Sequence, residues 1–323
     1  MNKNKKIKVA VLIGGPSSEH NVSLKSGEQV LKSLDKDIYE AFSVLIGKNG
    51  EWPISKAKLK EQSDVAFIAM HGTYGEDGQI QAILEEIGLP YTGSGSLTSA
   101  FAMNKFLSTR FFKYHGFFVP LSFHISKKDW DSKHPSFKTI LHYLHLPFVI
   151  KPNNQGSSVG VKIVQSEKEF NSALALVFSI SNEAIAQQYI EGREVTCGVL
   201  DHGWERSAYP LLPTEIVPKK SIFFDYDTKY DADAVYEITP ARLPASFLKL
   251  TQEIALRIHR LIGARGFSRA DMIVTSKGEI YVLEVNTIPG LTENSLLPKA
   301  AEASGIPFET LLHNIIQSAF RKN

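Results

Sequence analysis

Cysteine is almost missing. Cys197 is the only one in 323 residues, so no internal disulfide can form, and one thiol without histidines at ligand spacing builds no zinc cluster. A reducing compartment fits. Long hydrophobic runs are missing too, since no window approaches the roughly 18 apolar residues that a membrane span needs. The run Val9 to Ile13 behind a basic start is too short for a secretory signal, and Gly14-Gly15-Pro16 is no small-residue cleavage site. Charge of one sign is not in excess: 36 Lys plus Arg stand against 34 Asp plus Glu. That balance argues against nucleic acid or an anionic membrane surface as the main partner. The ten histidines include no Glu-flanked pair at helical spacing, and Gly156 to Gly160, though it spells Gly-x-Ser-x-Gly, leads into a strand rather than the helix of a nucleophile elbow, so zinc-protease and serine-hydrolase readings have no support. What remains is a globular chain, expected to be soluble and cytoplasmic. At about 150 residues per domain it holds two or three compact units.

What is present is alternation. Val9 to Ile13 reads as a strand, Gly14-Gly15-Pro16-Ser17-Ser18 as a tight turn, and Val22 to Leu34 as a helix. Ala41 to Ile46 and Val65 to Met70 are further strands, and Gly78 to Ile87 is a helix stopped by Gly88. Strands alternating with helices predict a doubly wound parallel sheet. A long helix is expected over Leu97 to His115, an irregular stretch over Asp129 to His142, and strands at Pro147 to Lys151, Val161 to Val164 and Ala184 to Ile190. A capping box at Ser166 and Glu169 opens a helix. Antiparallel strands and a helix over Phe247 to Ile262 complete the chain.

Four constellations carry chemistry. Lys151 to Gly160 is a loop of small residues whose backbone N–H groups can approach phosphate oxygens, with Lys151 as a point charge. No Gly-Lys-Ser/Thr follows, which excludes a Walker A loop. A phosphate flap between antiparallel strands and a plain hairpin with a glycine turn both account for it. In the second, Arg269 to Asn286, a two-residue turn at Lys277-Gly278 sets Asp271 opposite Glu284 and Arg269 opposite Asn286, all on one face. Opposed carboxylates repel, whereas a divalent cation between two carboxylates and an amide would suit magnesium or manganese. A surface hairpin with unrelated charges accounts equally well for the two acids in isolation. The following turn, Thr287 to Leu296, is rich in backbone donors and suits a carboxylate or an oxyanion. It would look much the same as an ordinary strand-to-helix loop. Third, Phe223 to Asp231 mixes aromatics with charge, and Lys229 is either a phosphoryl-neutralising or a solvated lysine. Fourth, Glu19 and His71 close the first and third strands, where open α/β sheets bind ligands. Glu19 either accepts a substrate ammonium or caps a helix.

Together these motifs resemble the ATP-grasp superfamily and, within it, the D-alanine:D-alanine ligases over almost the full length. The segments that carry the likeness are Gly14 to Ser23, His71 to Gly78, Lys151-Pro152 with Gly156 to Gly160, Phe224 to Tyr230, Arg269 to Asp271, and Glu284 to Thr292. The resemblance implies an α/β fold: an N-terminal doubly wound parallel sheet, followed by a two-lobed ATP-grasp unit of α+β character. The implied units are a substrate domain over 1–97, a central lobe with the glycine-rich flap over 98–187, and a C-terminal lobe with metal and substrate sites over 188–323.

The same resemblance implies site roles. Lys105 and Lys151 would hold ATP phosphates, with the backbone of Ser157, Ser158, Val159 and Gly160 closing over them. Gln188, Tyr189 and Ile190 would meet the adenine, and Glu194 the ribose. Lys229 would stabilise the transferring phosphoryl group, and Asp271, Glu284 and Asn286 would bind two Mg2+ or Mn2+ ions. Glu19, with His71 nearby, would hold the first substrate's ammonium, Arg269 and Gly290 an oxyanion, and Ser295 and Leu296 the second substrate's carboxylate. Ser157 and Tyr230 would link to Glu19. Tyr230 favours an amine nucleophile over D-lactate. Gln187-Gln188 departs from the Glu-Lys pair that many members carry. ATP and D-alanine are the implied small-molecule partners, with a homodimer and neither nucleic acid nor membrane. Another ATP-grasp ligase for a different D-amino or D-hydroxy acid, and a non-catalytic nucleotide-binding module, are the alternatives.

Overall fold

The computed structural model describes residues 6–132, 134–156, 159–202, 207–219 and 235–320. The chain opens with β1 (Ile7–Gly14), α1 (His20–Ser33), β2 (Tyr39–Ile46), α2 (Lys56–Gln62), β3 (Val65–Ile68) and α3 (Gln79–Glu86). The three strands form a parallel sheet in the order β2-β1-β3. Val9, Ala10, Val11 and Leu12 are wholly buried, as a strand covered on both faces must be. Because the chain leaves β1 toward β2 and then crosses to β3 on the other side, a crevice opens beyond the carboxyl ends of β1 and β3. Gly14 turns the chain there at φ +87°, where an added Cβ would lie 2.4 Å from the Ile46 carbonyl oxygen. Ser23 of α1 clamps both strand ends, accepting from the Gly14 N–H and donating to the Ala69 carbonyl, each at 2.8 Å.

The helix expected over Leu97 to His115 is instead two, α4 (Ser96–Met103) and α5 (Lys105–Tyr114). Asn104 separates them at φ −79°, ψ 93°, ending α4 while its side chain caps α5 by accepting from the Leu107 N–H at 3.0 Å. Apolar periodicity runs through the break unaltered, so only the cap chemistry of Asn104 marked it. The break makes Lys105 the first residue of α5 and buries it to 7% exposure.

Next come β4 (Ser122–Ser126), α6 (Lys127–Asp131), α7 (Phe137–Tyr143), β5 (Phe148–Pro152), β6 (Lys162–Val164), α8 (Glu167–Ile180) and β7 (Glu183–Gln188). The stretch expected to be irregular thus contains two short helices, each capped by a serine, Ser126 and Ser136. Tertiary contact sustains them: Trp130, Phe137, Ile140 and Leu141 pack against Phe148, Phe170 and Leu174. The antiparallel sheet runs β4-β7-β5-β6, and the glycine-rich loop joins its edge hairpin. At the head of α8, Ser166 caps as expected, but Glu169 reaches back one residue further, to the Gln165 N–H at 2.6 Å.

The last unit holds β8 (Arg193–Asp201), β9 (Ala208–Pro210), β10 (Thr214–Pro218), β11 (Val235–Ile238), α9 (Ala245–Leu261), β12 (Phe267–Val274) and β13 (Ile280–Asn286), then α10 (Leu296–Ala303) and α11 (Phe308–Ala319). Its sheet runs β11-β10-β8-β12-β13, with β9 also on β8. One face, including Val195, Cys197, Ala270, Met272, Ile280 and Val282, packs on Ala255 and Ile258 of α9. From α10 and α11, Leu297, Leu311, Leu312 and Ile315 join Val11, Leu12 and Phe67 in a single core. Packing from opposite ends of the chain therefore sets the turn after β13 against the crevice of the first sheet.

The β12–β13 hairpin corrects one expectation and keeps another. The turn is not two residues at Lys277-Gly278. Thr275 and Glu279 close a three-residue loop, with Gly278 at φ +86° and its N–H on the Thr275 carbonyl at 3.0 Å. The pairs nearest the turn are accordingly Val274 with Ile280 and Met272 with Val282. A bulge then restores Asp271 opposite Glu284 and Arg269 opposite Asn286. Leu283 is the extra residue. It lets Ile280 and Val282 face the core while Glu284 and Asn286, at the same parity, face the other side, which strict alternation forbids.

Replacing Asn104 by Ala is expected to lower the unfolding free energy by about 1 kcal/mol through loss of the cap. Urea denaturation reads this, and an unchanged midpoint would remove the cap from the account.

Candidate active site

Where the crevice meets the β12–β13 face lies a cleft of about 820 Å3. It is lined by Glu19, His71, Lys105, Arg269, Glu284, Asn286, Gly290, Ser295 and Leu296, all singled out from sequence. Residues more than 250 positions apart thus share one wall. Asp271 sits directly opposite Glu284 in register. The cleft lining does not include Lys151, Val159, Gly160, Gln188, Tyr189, Ile190 or Glu194. Ser157, Ser158, Lys229 and Tyr230 lie outside the described residues.

Glu19 stands at the N-cap position of α1, where the helix dipole favours an acid, and its side chain makes no capping hydrogen bond. It is 8% exposed. Glycine keeps room for it: a Cβ on Gly72 would lie 2.7 Å from Glu19 Oε2, and one on Gly156 would lie 3.1 Å from it. His71 is held on both ring nitrogens, with Nε2 on Ser26 Oγ at 2.8 Å and Nδ1 between the Ile288 carbonyl at 3.3 Å and Glu76 Oε1 at 3.5 Å. Burial pushes this imidazole toward its neutral form, but the hydrogen bond and charge of Glu76, with the charge of Glu19, outweigh it and raise the pKa above 6.5. Glu76 is raised in turn, by burial first and with the charge of Glu19 adding, against the pull of His71.

Opposite stands the charged pair of strands. Arg269 grips Asp271 with two parallel hydrogen bonds, Nε to Oδ1 at 2.7 Å and Nη2 to Oδ2 at 2.8 Å. Burial would lower the Arg269 pKa, but the charge and hydrogen bonds of Asp271, then the charges of Glu284 and Glu76, raise it. Lys105 Nζ lies 3.1 Å from Glu284 Oε2. The repulsion expected between Asp271 and Glu284 is thus offset here by two of the protein's own cations. Asn286 Oδ1 accepts from the Ile288 N–H at 2.8 Å, leaving the amide oxygen a second lone pair. Two carboxylates and an amide form an oxygen-only donor set that fits Mg2+ or Mn2+.

Beyond Asn286, Ser295 precedes α10 and makes no capping bond of its own. Its hydroxyl meets the Thr292 N–H at 3.0 Å and Thr292 Oγ1 at 2.8 Å. The first N–H groups of α10 therefore remain for an anion. A Cβ at Gly290 would fall 2.7 Å from Ser295 Oγ, so only glycine lets the two approach.

On the side of the glycine-rich loop, Lys151 on β5 is buried, and Asn153 ties the base of that loop to α5, accepting from the Lys105 N–H through its carbonyl at 3.2 Å and from the Phe106 N–H through its side chain at 2.9 Å. Gln187 donates to Ser122 Oγ at 2.9 Å, and Gln188 accepts from the Leu121 N–H at 3.2 Å. These two amides fasten the segment leading into β4. Glu194 projects from β8 beside Ile273 in register. Sequence reasoning passed over Glu76, Asn153 and the Lys25, Gln29 and Lys32 face of α1, which also lines the cleft. Glu76 lies within the His71 to Gly78 segment, whereas a helix face of Lys25, Gln29 and Lys32 reads as ordinary solvated surface.

A glycine-rich loop on an antiparallel hairpin, with Gly156 in the lining of a cleft walled by an oxygen-donor strand pair, is the arrangement of the ATP-grasp enzymes. The family model for the D-ala D-ala ligase C-terminus matches residues 111–317, and that for the N-terminus matches 8–63 and 53–94. A D-alanine–D-alanine ligase of Geotalea uraniireducens is 42% identical over 98% of this chain and 96% of its own. Among solved structures, a D-alanine–D-alanine ligase of Bacillus anthracis complexed with ATP is 35% identical, with a TM-score of 0.82 over 98% of each chain. The VanG D-Ala:D-Ser ligase of Enterococcus faecalis is 31% identical, with a TM-score of 0.85 over 98% of this chain and 100% of its own. The chain belongs to the D-alanine–D-alanine ligase family.

A raised His71 pKa contributes stability that is complete below about pH 6.5 and is lost as pH rises through the folded-state value. Glu76→Gln is expected to lower the His71 pKa, read by NMR of the imidazole C–H, and to flatten the fall in stability above neutral pH. An unmoved His71 titration would remove Glu76 as its partner.

Proposed function

We propose that this chain joins two D-alanines into D-alanyl-D-alanine, converting ATP to ADP and phosphate, for peptidoglycan precursor synthesis. The observation that carries this reading is the single cleft in which Glu19, His71, Arg269, Gly290 and Ser295 converge beside the Asp271–Glu284 strand pair, in a chain that matches the ligases over almost its whole length. A carboxylate and an amine do not condense in water, because oxide is a poor leaving group. Activation solves this. A carboxylate oxygen of the first D-alanine attacks the γ-phosphorus, the bond to ADP breaks, and an acyl phosphate results. The amine of the second D-alanine then attacks the acyl carbon, loses a proton, and phosphate leaves.

The chain's contribution is position and charge. Glu19, beside Glu76, takes the first ammonium, while Arg269 and the Gly290 N–H hold the developing oxyanion. Ser295 and the Leu296 N–H receive the second carboxylate at the head of α10. Lys105 and Lys151 neutralise ATP phosphates under a flap that includes Val159 and Gly160. Gln188, Tyr189 and Ile190 border the adenine, and Glu194 the ribose. The roles of Ser157, Ser158, Lys229 and Tyr230 rest on motif resemblance. Asp271, Glu284 and Asn286 would hold two Mg2+ or Mn2+ ions, which when bound withdraw charge from the phosphates.

The units 1–97, 98–187 and 188–323 are proposed as substrate domain, flap lobe and metal lobe, in a cytoplasmic homodimer. Among the described residues no helix is long and apolar enough to cross a membrane. The likeness to a D-Ala:D-Ser ligase supports a second reading, with D-serine as the second substrate.

Phosphate release should appear with ATP, Mg2+ and D-alanine, and should exceed that with D-alanine plus D-serine or D-lactate. No release above background with any of these would overturn the ligase reading, and preference for D-serine would establish the second. Arg269→Lys, which keeps the charge but loses the two-pronged grip, should lower kcat by about 10²- to 10³-fold, roughly 3 to 4 kcal/mol, with far-UV circular dichroism retained. Turnover near that of the parent would remove Arg269 from the chemistry.

A further inference from the structure

Among the described residues, three buried side-chain atoms have no hydrogen-bond partner: Gln81 Oε1, Gln317 Oε1 and Thr196 Oγ1. The two glutamines still donate through their Nε2 groups, to the Gly75 carbonyl at 2.8 Å and the Tyr39 hydroxyl at 3.2 Å. Thr196 is different, because the unpartnered oxygen is its only polar side-chain atom. It is 3% exposed, in the middle of β8. A buried hydroxyl without a partner is a standing cost that valine, of the same shape, would avoid.

Its position suggests a use. Register places Thr214, Thr196, Asp271 and Glu284 abreast on β10, β8, β12 and β13, with side chains on one face. Thr214 is satisfied by Thr239, with 2.6 Å between hydroxyl oxygens. Asp271 is also satisfied, since both carboxylate oxygens are taken by Arg269. The grip uses two of the five N–H groups of Arg269, and a divalent cation on Asp271 would compete with it for the same two carboxylate oxygens. Once a cation binds Asp271 and Arg269 turns to the acyl group, the carboxylate loses two donors. A metal-ligating carboxylate needs outer hydrogen bonds to hold its orientation. The spare hydroxyl next to Asp271 in register is that of Thr196.

We infer that Thr196 is a positioning residue for the cation site, its O–H donating to Asp271 when a divalent cation replaces Arg269 as that carboxylate's partner. The inference rests on Asp271 being a metal ligand, as proposed above. It gives the ligand-free and cation-bound states different hydrogen bonds at one buried threonine. It also explains why the idle hydroxyl is tolerated.

Mn2+ binding in the presence of ADP, followed by electron paramagnetic resonance, tests it on the whole chain together with thermal unfolding of the ligand-free protein. Thr196→Val should unfold at the parent's temperature or above, because no bond is lost, while its Mn2+ affinity falls about 10- to 100-fold. Thr196→Ser, which keeps the hydroxyl, should bind Mn2+ within a few-fold of the parent. If Thr196→Val binds Mn2+ like the parent, or unfolds well below it with affinity unchanged, the inference is overturned and the threonine is structural. Asp271→Asn separates this from the underlying reading. That variant should lose Mn2+ binding, and if it binds normally, Asp271 is not a ligand and both readings fail.

Discussion

Two carboxylates side by side on adjacent strands, Asp271 and Glu284, are the constraint around which the rest of the site is built. In a half-buried cleft their repulsion has to be offset in every state the protein visits. Here Arg269 and Lys105 do so, each within hydrogen-bond distance. Those are the same cations proposed to meet an oxyanion and a phosphate. A nucleotide with divalent cations offers the exchange that keeps every charge paired: phosphates for the protein's cations, and metal ions for its carboxylates. The ion pairs within the cleft and the proposed contacts to a charged ligand are therefore alternative uses of one set of side chains.

That arrangement depends on backbone irregularities. The bulge at Leu283 lets one strand give Val282 to the core and Glu284 to the cleft, so the carboxylate proposed to bind metal is placed by a break in alternation. Asn104 does the corresponding work on the helical side, where ending α4 starts α5 at Lys105 and directs that lysine's ammonium to Glu284. The first sheet adds its share through topology. Its crevice presents Glu19 and His71, and the His71 contact with the Ile288 carbonyl ties that crevice to the turn after β13.

Much of this was legible in the sequence. The unbroken apolar run of β1 and the Gly14-Gly15 turn marked a parallel strand leading to a ligand edge. The oxygen-only character of Asp271, Glu284 and Asn286 pointed to a hard cation. The opposition of Asp271 and Glu284 was reached through a turn one residue too short, and it held because the bulge adds a residue to β13 and restores the sum. The division at Asn104 escaped notice because apolar spacing continues through it. Helices α6 and α7 escaped because segments of five and seven residues are stable only against a core that is not local in sequence.

The sequence by itself determined the alternation of elements, the chemical types at the site and their order, because period, turn chemistry and donor identity are local properties of a chain. Tertiary structure alone decided who partners whom. That Lys105 meets Glu284, that His71 reaches the Ile288 carbonyl, and that Thr196 lies abreast of Asp271 without a bond all depend on distances between residues far apart in the chain. Those distances are set by packing, with the C-terminal helices completing the core of the first sheet, and packing is a property of the whole molecule.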